Sequence, residues 1–395
     1  MTRIESGLEG IAVAETRLSD VDGERGRLVI GGYPVEELAP KARYEEVLHL
    51  LWYGRVPSED ESESLRARLA AARDLPAATV ALLRAASRGG VGAMDALRMG
   101  LDTLSLVERC PSDESRHADF DRAIGLTARA ATIAAAYRRL RRGLDPLTPD
   151  PALGHAANYL YMLEGREPAP EAVRALETYL ITVVDHGMNA STFTARVVTS
   201  TRSDMYSAIV GAVGALKGPL HGGAPGPALD MVFALRERAA ASGHRLREEA
   251  AAHVRGMLSA GERIMGFGHR VYRVRDPRAD VLGGAAARLY DRLGDRRLYD
   301  DARAVEDVVL QVFAELKPNR RIATNVEFYT ALLLHGIGFE SDLFTPTFAV
   351  ARMGGWTAHI LEQAANNRLI RPAATYVGPH HGEWSSPGAG ERLCA

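Results

Sequence analysis

Three short segments of this chain hold residues suited to moving protons at carbon: residues 217–223 (KGPLHGG), 266–278 (GFGHRVYRVRDPR) and 325–329 (NVEFY). They supply two histidines, His221 and His269, and a carboxylate, Glu327, each in or beside what reads as a loop or a helix start. Two isolated arginines, Arg352 and Arg371, follow in otherwise apolar sequence. Imidazole and carboxylate are the usual proton carriers near neutral pH. Arginine is the side chain best shaped for a carboxylate. The combination points to carbon–carbon bond formation on an anionic substrate.

Each candidate also has a plainer reading. His221 precedes a helix expected to begin near Pro227. The positive end of that helix would keep the imidazole neutral and able to donate to a developing enolate oxygen. Gly222 and Gly223 would let a bulky substrate approach the backbone. The alternative is a loop histidine in a turn. His269 sits in G-x-G-H ahead of Arg270, Arg273, Arg275 and Arg278. The third glycine and a preceding strand are missing, which excludes a dinucleotide fingerprint. An anion site fits, and so does a solvated basic loop.

Glu327 completes Thr324-Asn325-Val326-Glu327, a capping-box pattern with threonine at the N-cap, so a structural role competes with a chemical one. Arg352 lies in FTPTFAVARMGGWTAHILEQ, where Thr345-Pro346 reads as N-cap and N1. If buried, this arginine needs an acidic partner or a bound carboxylate. Arg371 precedes Pro372, which favours extended backbone. For both arginines the alternative is a surface residue with its stem on apolar neighbours. His186, in VDHGMNASTFTAR, closes an apolar helix whose dipole would account for it. Metal binding suits it less, because Asp185 and His186 are adjacent and do not share a helix face.

The elements that must position these residues are helical almost throughout. Residues 44–53, 124–140, 153–163, 170–184, 204–216 and 227–240 carry helical apolar periodicity. Residues 26–30 (GRLVI) are the clearest strand. The expected fold is all-α with a small N-terminal β element. Proline- and glycine-rich connections cover 143–154 and 217–227, and the tail from Gly378 reads as a mobile terminus. Breaks near Gly218 and before Asn325 would place residues 1–218 and 325–395 in a large helical domain. Residues 219–324 would form a smaller inserted one.

Bulk properties narrow the function. A chain of 395 residues favours two domains. With 48 basic and 50 acidic residues the net charge is -2, which gives no global attraction to nucleic acid or an acidic membrane. Cys110 and Cys394 show no paired metal spacing, so a reduced cytoplasmic protein without structural disulfides is expected. No signal peptide or membrane span is visible.

Together the segments resemble the citrate synthase family, from about Gly7 to Gly378. GPLHGG, GFGHRVYRVRDPR, DHGMNASTFTAR and FTPTFAVARMGGWTAHILEQ carry the resemblance. It implies a citrate synthase fold, nearly all helical, in a homodimer whose small domain closes over the substrates. By the family pattern His221 polarises the acetyl thioester of acetyl-CoA and stabilises its enol, and His269 polarises the ketone of oxaloacetate. His186, Arg278 and Arg352 hold oxaloacetate, and Arg371 is lent by the partner subunit. Arg273, with Gly266 and Gly268, falls where the family contacts coenzyme A. The pattern calls for no metal and no cofactor, acetyl-CoA being a substrate.

One position departs from the family. Its base is usually aspartate, and here it is Glu327, longer by one methylene. The resemblance implies an acyltransferase that makes citrate in the tricarboxylic acid cycle. A 2-methylcitrate synthase using propionyl-CoA is the near alternative, because one methylene in an apolar pocket is worth only ~1–3 kcal/mol. A weakly catalytic paralogue that binds acyl-CoA or a dicarboxylate is the other.

Overall fold

The computed structural model describes residues 6–8, 10–106, 116–222, 225–269, 271–318, 322–378 and 380. Cys110, Cys394, Gly223, Arg270 and the tail beyond 380 lie outside the described residues. Sixteen α-helices are present among the described residues, with one three-stranded antiparallel sheet near the N-terminus. Its strands are Ser19–Asp22, Arg27–Ile30 and Tyr33–Pro34, with Asp20 opposite Val29. Leu28 and Ile30 alternate with exposed or partly exposed neighbours and are fully buried, as the period of two demands. The all-α expectation with a small β element is the observed architecture.

The centre of the molecule is the Phe344–Ala365 helix, in which all but one residue from Phe344 to Ile360 is buried. A helix apolar all round belongs in a core. It packs against Tyr44–Tyr53, Arg116–Arg141, Pro170–Thr182 and Ala190–Ser200. Contact with the end of Pro170–Thr182 is close enough to require glycine. A Cβ on Gly355 would lie 2.2 Å from the Val184 carbonyl oxygen, and one on Gly354 would lie 2.4 Å from Leu48 Cδ2. This approach brings Arg352 beside the 183–186 turn, where its Nε donates to the Val183 carbonyl at 2.5 Å.

The other elements around the site are Pro225–Ser242, Pro277–Leu293 and Val326–Ile337. Pro277–Leu293 packs on both Val326–Ile337 and Pro170–Thr182. Two short stretches, 266–268 and 323–325, pair as a backbone bridge. Phe267 faces Thr324, Gly268 N donates to Ala323 O at 2.8 Å, and Asn325 N donates to Gly266 O at 3.0 Å. Gly266 and Gly268 have φ of +85° and +80°, the left-handed region that other residues avoid. That conformation alone calls for glycine at both positions.

The helix expected near Pro227 is present, running from Pro225. Two local expectations are corrected. Asn325, not Thr324, caps Val326–Ile337, and its side chain accepts from Glu327 N. The Thr324 hydroxyl instead donates to the buried carboxylate of Glu306 at 2.5 Å, a charge-assisted bond stronger than the one a hydroxyl accepts from a backbone N–H at a cap. Thr345 is likewise no N-cap. The helix runs on from a 3-10 turn at Ser341–Leu343, and the Thr345 hydroxyl donates to Gly222 O at 2.9 Å.

Gly355→Ala should lose about 1–3 kcal/mol of stability or more, because the added methyl meets backbone that cannot yield. Gly256→Ala is the control. That position is helical with open space around it, and alanine there should be neutral or stabilising by up to ~1 kcal/mol. Urea unfolding of both variants checks the pair.

Candidate active site

A cleft of about 2150 Å³ collects most of the candidates. His186, His221, Gly266, Gly268, His269, Arg273, Arg278, Glu327 and Arg352 all line it. Arg371 does not. It is exposed on an extended segment after the central helix and is not part of its own chain's cleft.

His269 is fixed by its own loop. Its Nδ1 accepts from the backbone N–H groups of Val271 (3.0 Å) and Tyr272 (3.1 Å). A backbone N–H can only donate, so the proton of the neutral ring is on Nε2. Arg278 Nη2 lies 3.4 Å from that nitrogen. Two donors face each other there and could share one acceptor oxygen. Burial, followed by the Arg278 charge, lowers the His269 pKa to about 4. At neutral pH it is a neutral donor.

His221 closes a turn, its N–H bonded to Gly218 O at 2.9 Å. Its Nε2 lies 3.4 Å from the Ser191 N–H and 2.8 Å from the Ser191 hydroxyl. That hydroxyl also sits 2.7 Å from Asn189 Oδ1 and accepts from Trp356 Nε1 at 3.1 Å. The Ser191 N–H belongs to the first turn of Ala190–Ser200, one of the amides a helix cannot satisfy itself. The helix N-terminus acting on His221 is therefore this one, not the helix that follows His221 in sequence. The N–H favours Nε2 as acceptor and leaves the proton on Nδ1. Burial and then Arg352 lower the His221 pKa to about 4. Gly222 is not a door for substrate. A Cβ on it would lie 2.5 Å from the Leu216 carbonyl oxygen, so its own turn requires the glycine.

The two arginines differ. Arg278 is buried and doubly bonded to Asp276, Nε to Oδ1 at 3.0 Å and Nη2 to Oδ2 at 2.7 Å. Burial opposes its charge, yet Asp276 more than compensates and the pKa is raised. Arg352 is equally buried, but its Nε meets only a carbonyl and its Nη1 has no acceptor. Burial lowers its pKa to about 10. A buried guanidinium nitrogen without a partner, at the wall of a cleft, calls for an anionic oxygen.

Glu327 is partly buried beside both. Burial pushes its carboxyl up, Arg278 and Arg352 pull it down, Asp276 pushes it up again, and the pKa comes to about 7. A carboxylate poised near neutrality suits general-base work. His186 Nε2 meets the Tyr272 hydroxyl at 3.0 Å. Burial and the charges of Arg278 and Arg352 hold its pKa well below the ordinary value.

The arginine run after His269 separates by role. Arg275 pairs with Asp280 and Glu306, while Arg273 is exposed at the rim with its N–H on Gly23 O at 2.9 Å. Several residues went unassigned from sequence. Asp276 bonds Arg278 and also accepts from Val326 N at 3.2 Å. Asp185, beside His186, is held by His359 Nε2 at 3.1 Å and by the Ser19 hydroxyl at 2.5 Å. Arg196 Nε donates to His359 Nδ1 at 3.0 Å. The ionisable pattern of the central helix was the one available signal for His359. Among the described residues no three His, Cys, Asp or Glu side chains gather as a metal site, and no helix is long and apolar enough to cross a membrane.

Two neutral imidazole donors, a raised carboxyl and two buried arginines lining one cleft are groups suited to acid–base chemistry on an anion. Comparison with known proteins gives the family. A family model described as citrate synthase, C-terminal domain, matches residues 7–373. The citrate synthase of Haloferax volcanii is 41% identical, over 95% of this chain and 96% of its own. The 2-methylcitrate synthase of Mycobacterium tuberculosis is 38% identical, over 95% of this chain and 91% of its own. The solved ternary complex of Thermoplasma acidophilum citrate synthase with carboxymethyl coenzyme A and oxaloacetate superimposes with a TM-score of 0.84. It is 30% identical and covers 98% of this chain and 99% of its own. The chain belongs to the citrate synthase family and has its fold, and it is an acyltransferase of that type.

The raised Glu327 pKa has a stability consequence with a definite sign. A folded value of about 7 above the ordinary 4.5 means the folded state holds the proton longer. Stability from this group therefore falls as pH rises from about 4.5 to 7. Glu327→Gln removes the titration, so its melting temperature should match the parent near pH 4.5 and exceed it above pH 7. Calorimetry across that range checks this; a constant difference would contradict it.

Proposed function

We propose that the protein is a citrate synthase, condensing acetyl-CoA with oxaloacetate and water to give citrate and free CoA. The observation that carries this is Glu327, a carboxyl poised near 7 in the same cleft as two neutral imidazole donors and two arginines. The solved relative with a carboxymethyl coenzyme A and oxaloacetate supports the choice of substrates.

In this reading His186, Arg278 and the unpartnered nitrogen of Arg352 take the carboxylates of oxaloacetate. Its ketone oxygen lies against His269 Nε2–H. Glu327 removes a proton from the acetyl methyl while His221 Nδ1–H donates to the enolate oxygen. The enol carbon attacks the polarised ketone, and water then cleaves the citryl thioester to citrate and CoA. Arg273, Gly266 and Gly268 form the coenzyme A side. No step calls on a metal or a cofactor.

Residues 219–324 act as the smaller body and carry with them the start of the Val326–Ile337 helix, which the Phe267–Thr324 bridge and Asp276 tie to them, closing on the rest of the chain. His269 and Arg278 then lie on one side of the cleft together with Glu327, whose segment is tied to theirs, and His186 and Arg352 lie on the other. Oxaloacetate bridging Arg278 and Arg352 would supply the differential contacts that closure needs. Arg371 completes the partner's site in a homodimer. The relative named 2-methylcitrate synthase supports a second reading, in which propionyl-CoA is the better thioester.

Release of CoA from acetyl-CoA and from propionyl-CoA, each with oxaloacetate, tests the assignment. The expected result is turnover with both and a higher kcat/KM for acetyl-CoA. A reversed ratio selects the second reading, and no release from either identifies a binding paralogue. The acidic limb of kcat/KM should rise through about pH 7, where Glu327 loses its proton. Glu327→Gln should lose that limb and roughly 10²-fold or more of turnover. Mixing Arg371→Ala chains with His269→Ala chains should restore part of the activity through hybrid dimers. No recovery after proven subunit exchange would overturn the shared site.

A further inference from the structure

We propose that Glu306 is a positioning residue: one buried carboxylate that keeps the segment bearing His269 and Arg278 in register with the segment bearing Glu327. The inference rests on the roles assigned above and goes beyond them, because Glu306 does not line the cleft.

Glu306 lies on the Arg297–Leu316 helix and is 1% exposed. Both of its oxygens are used. Oε1 accepts from Arg275 Nη1 at 2.7 Å and from the Thr324 hydroxyl at 2.5 Å. Oε2 accepts from the Tyr329 hydroxyl in a short hydrogen bond and from Arg303 Nη1 at 2.9 Å. Arg303 Nη1 also lies 2.9 Å from the Tyr329 hydroxyl. The guanidinium of Arg275 sits 5.9 Å from the Tyr329 ring centroid.

The sequence positions of these donors give the cluster its meaning. Arg275 is three residues before Arg278 and follows His269 in the same loop. Thr324 and Tyr329 flank Glu327 on either side. One oxygen joins the two segments directly, through Arg275 and Thr324. The other holds Tyr329, in the first turn of the helix that bears the proposed base. The Phe267–Thr324 backbone bridge and the Asn325 side-chain amide, whose Nδ2 donates to Gly268 O at 2.9 Å, tie the same segments. A buried ion pair is weak evidence for net stability, and its better-attested use is to set register. Register matters here because a misplacement of ~1 Å between base, substrate and electrophile can cost about a hundredfold in rate.

The test separates positioning from simple stabilisation. Tyr329→Phe cuts the tether on the base side. It should lower kcat about tenfold and leave the oxaloacetate Kd unchanged. Arg275→Met cuts the other side and should weaken oxaloacetate binding about tenfold, with a smaller change in kcat. Glu306→Gln should show both defects. Activity is measured per folded molecule, well below each melting temperature, with oxaloacetate binding followed by calorimetry. If the variants melt earlier but keep wild-type kcat and Kd, Glu306 only stabilises the fold and the proposal is overturned. If Glu306→Gln does not fold, the opposite defects of the two single-tether variants decide. A wild-type enzyme that released no CoA would overturn the activity assigned above, and this inference with it. An active wild type with insensitive variants would overturn this inference alone.

Discussion

The geometry of the cleft depends on the carboxylate of Asp276. It takes two bonds from the Arg278 guanidinium and one from the Arg278 N–H, where it caps the Pro277–Leu293 helix. A fourth comes from Val326 N, at the start of the helix that bears Glu327. Both partners of the ion pair are almost fully buried. Taking two charges out of water is costly, and an apolar pair of similar volume could stabilise the fold as well. It could not aim a guanidinium into the cleft and anchor two helix starts to one point. That orientation is the gain from the pair.

Arg352 is held differently, and the contrast explains the electrostatics of the cleft. Arg278 brings its own counter-charge, whereas Arg352 leans on a carbonyl and keeps one nitrogen free. One buried Arg352 nitrogen is therefore left to an acceptor from outside the chain. Glu327 feels both arginines against its own burial, and the opposing effects leave it near 7. The same burial and the same positive charges hold His221 and His269 neutral. One field thus poises a carboxylate to accept a proton while it keeps two imidazoles as donors. Titratable groups pushed apart in this way are the usual mark of an acid–base site.

Much of the fold was legible because it is written locally. The Tyr44–Tyr53 helix appears with its expected limits and with Gly54 at its cap. The central helix announces itself by an apolar run with Arg352 in the middle. His186, His221, His269, Arg278, Glu327 and Arg352 were named from sequence and share one cleft. What failed was local reasoning about groups whose partners are remote. Thr324 satisfies a cap pattern, yet its hydroxyl turns to Glu306, and Thr345 turns to Gly222. Gly222 reads as an open approach and is instead packed over Leu216.

By itself the sequence determined the helical class of the fold, several of its helices and loops, and which side chains have the chemistry for an acid–base site. These depend on propensity, periodicity and turn residues within a few positions of one another. Only the tertiary structure decided how the chemical groups are tuned. The Ser191 amide acting on His221 comes from 30 residues away, and the His359 ring on Asp185 from 174. Glu306 meets Arg275 across 31 residues and Thr324 across 18. Desolvation and hydrogen bonding act over a few ångströms in space, whatever the separation along the chain. A pattern read along the chain finds the groups, while their protonation and aim are set by the packing of the helices.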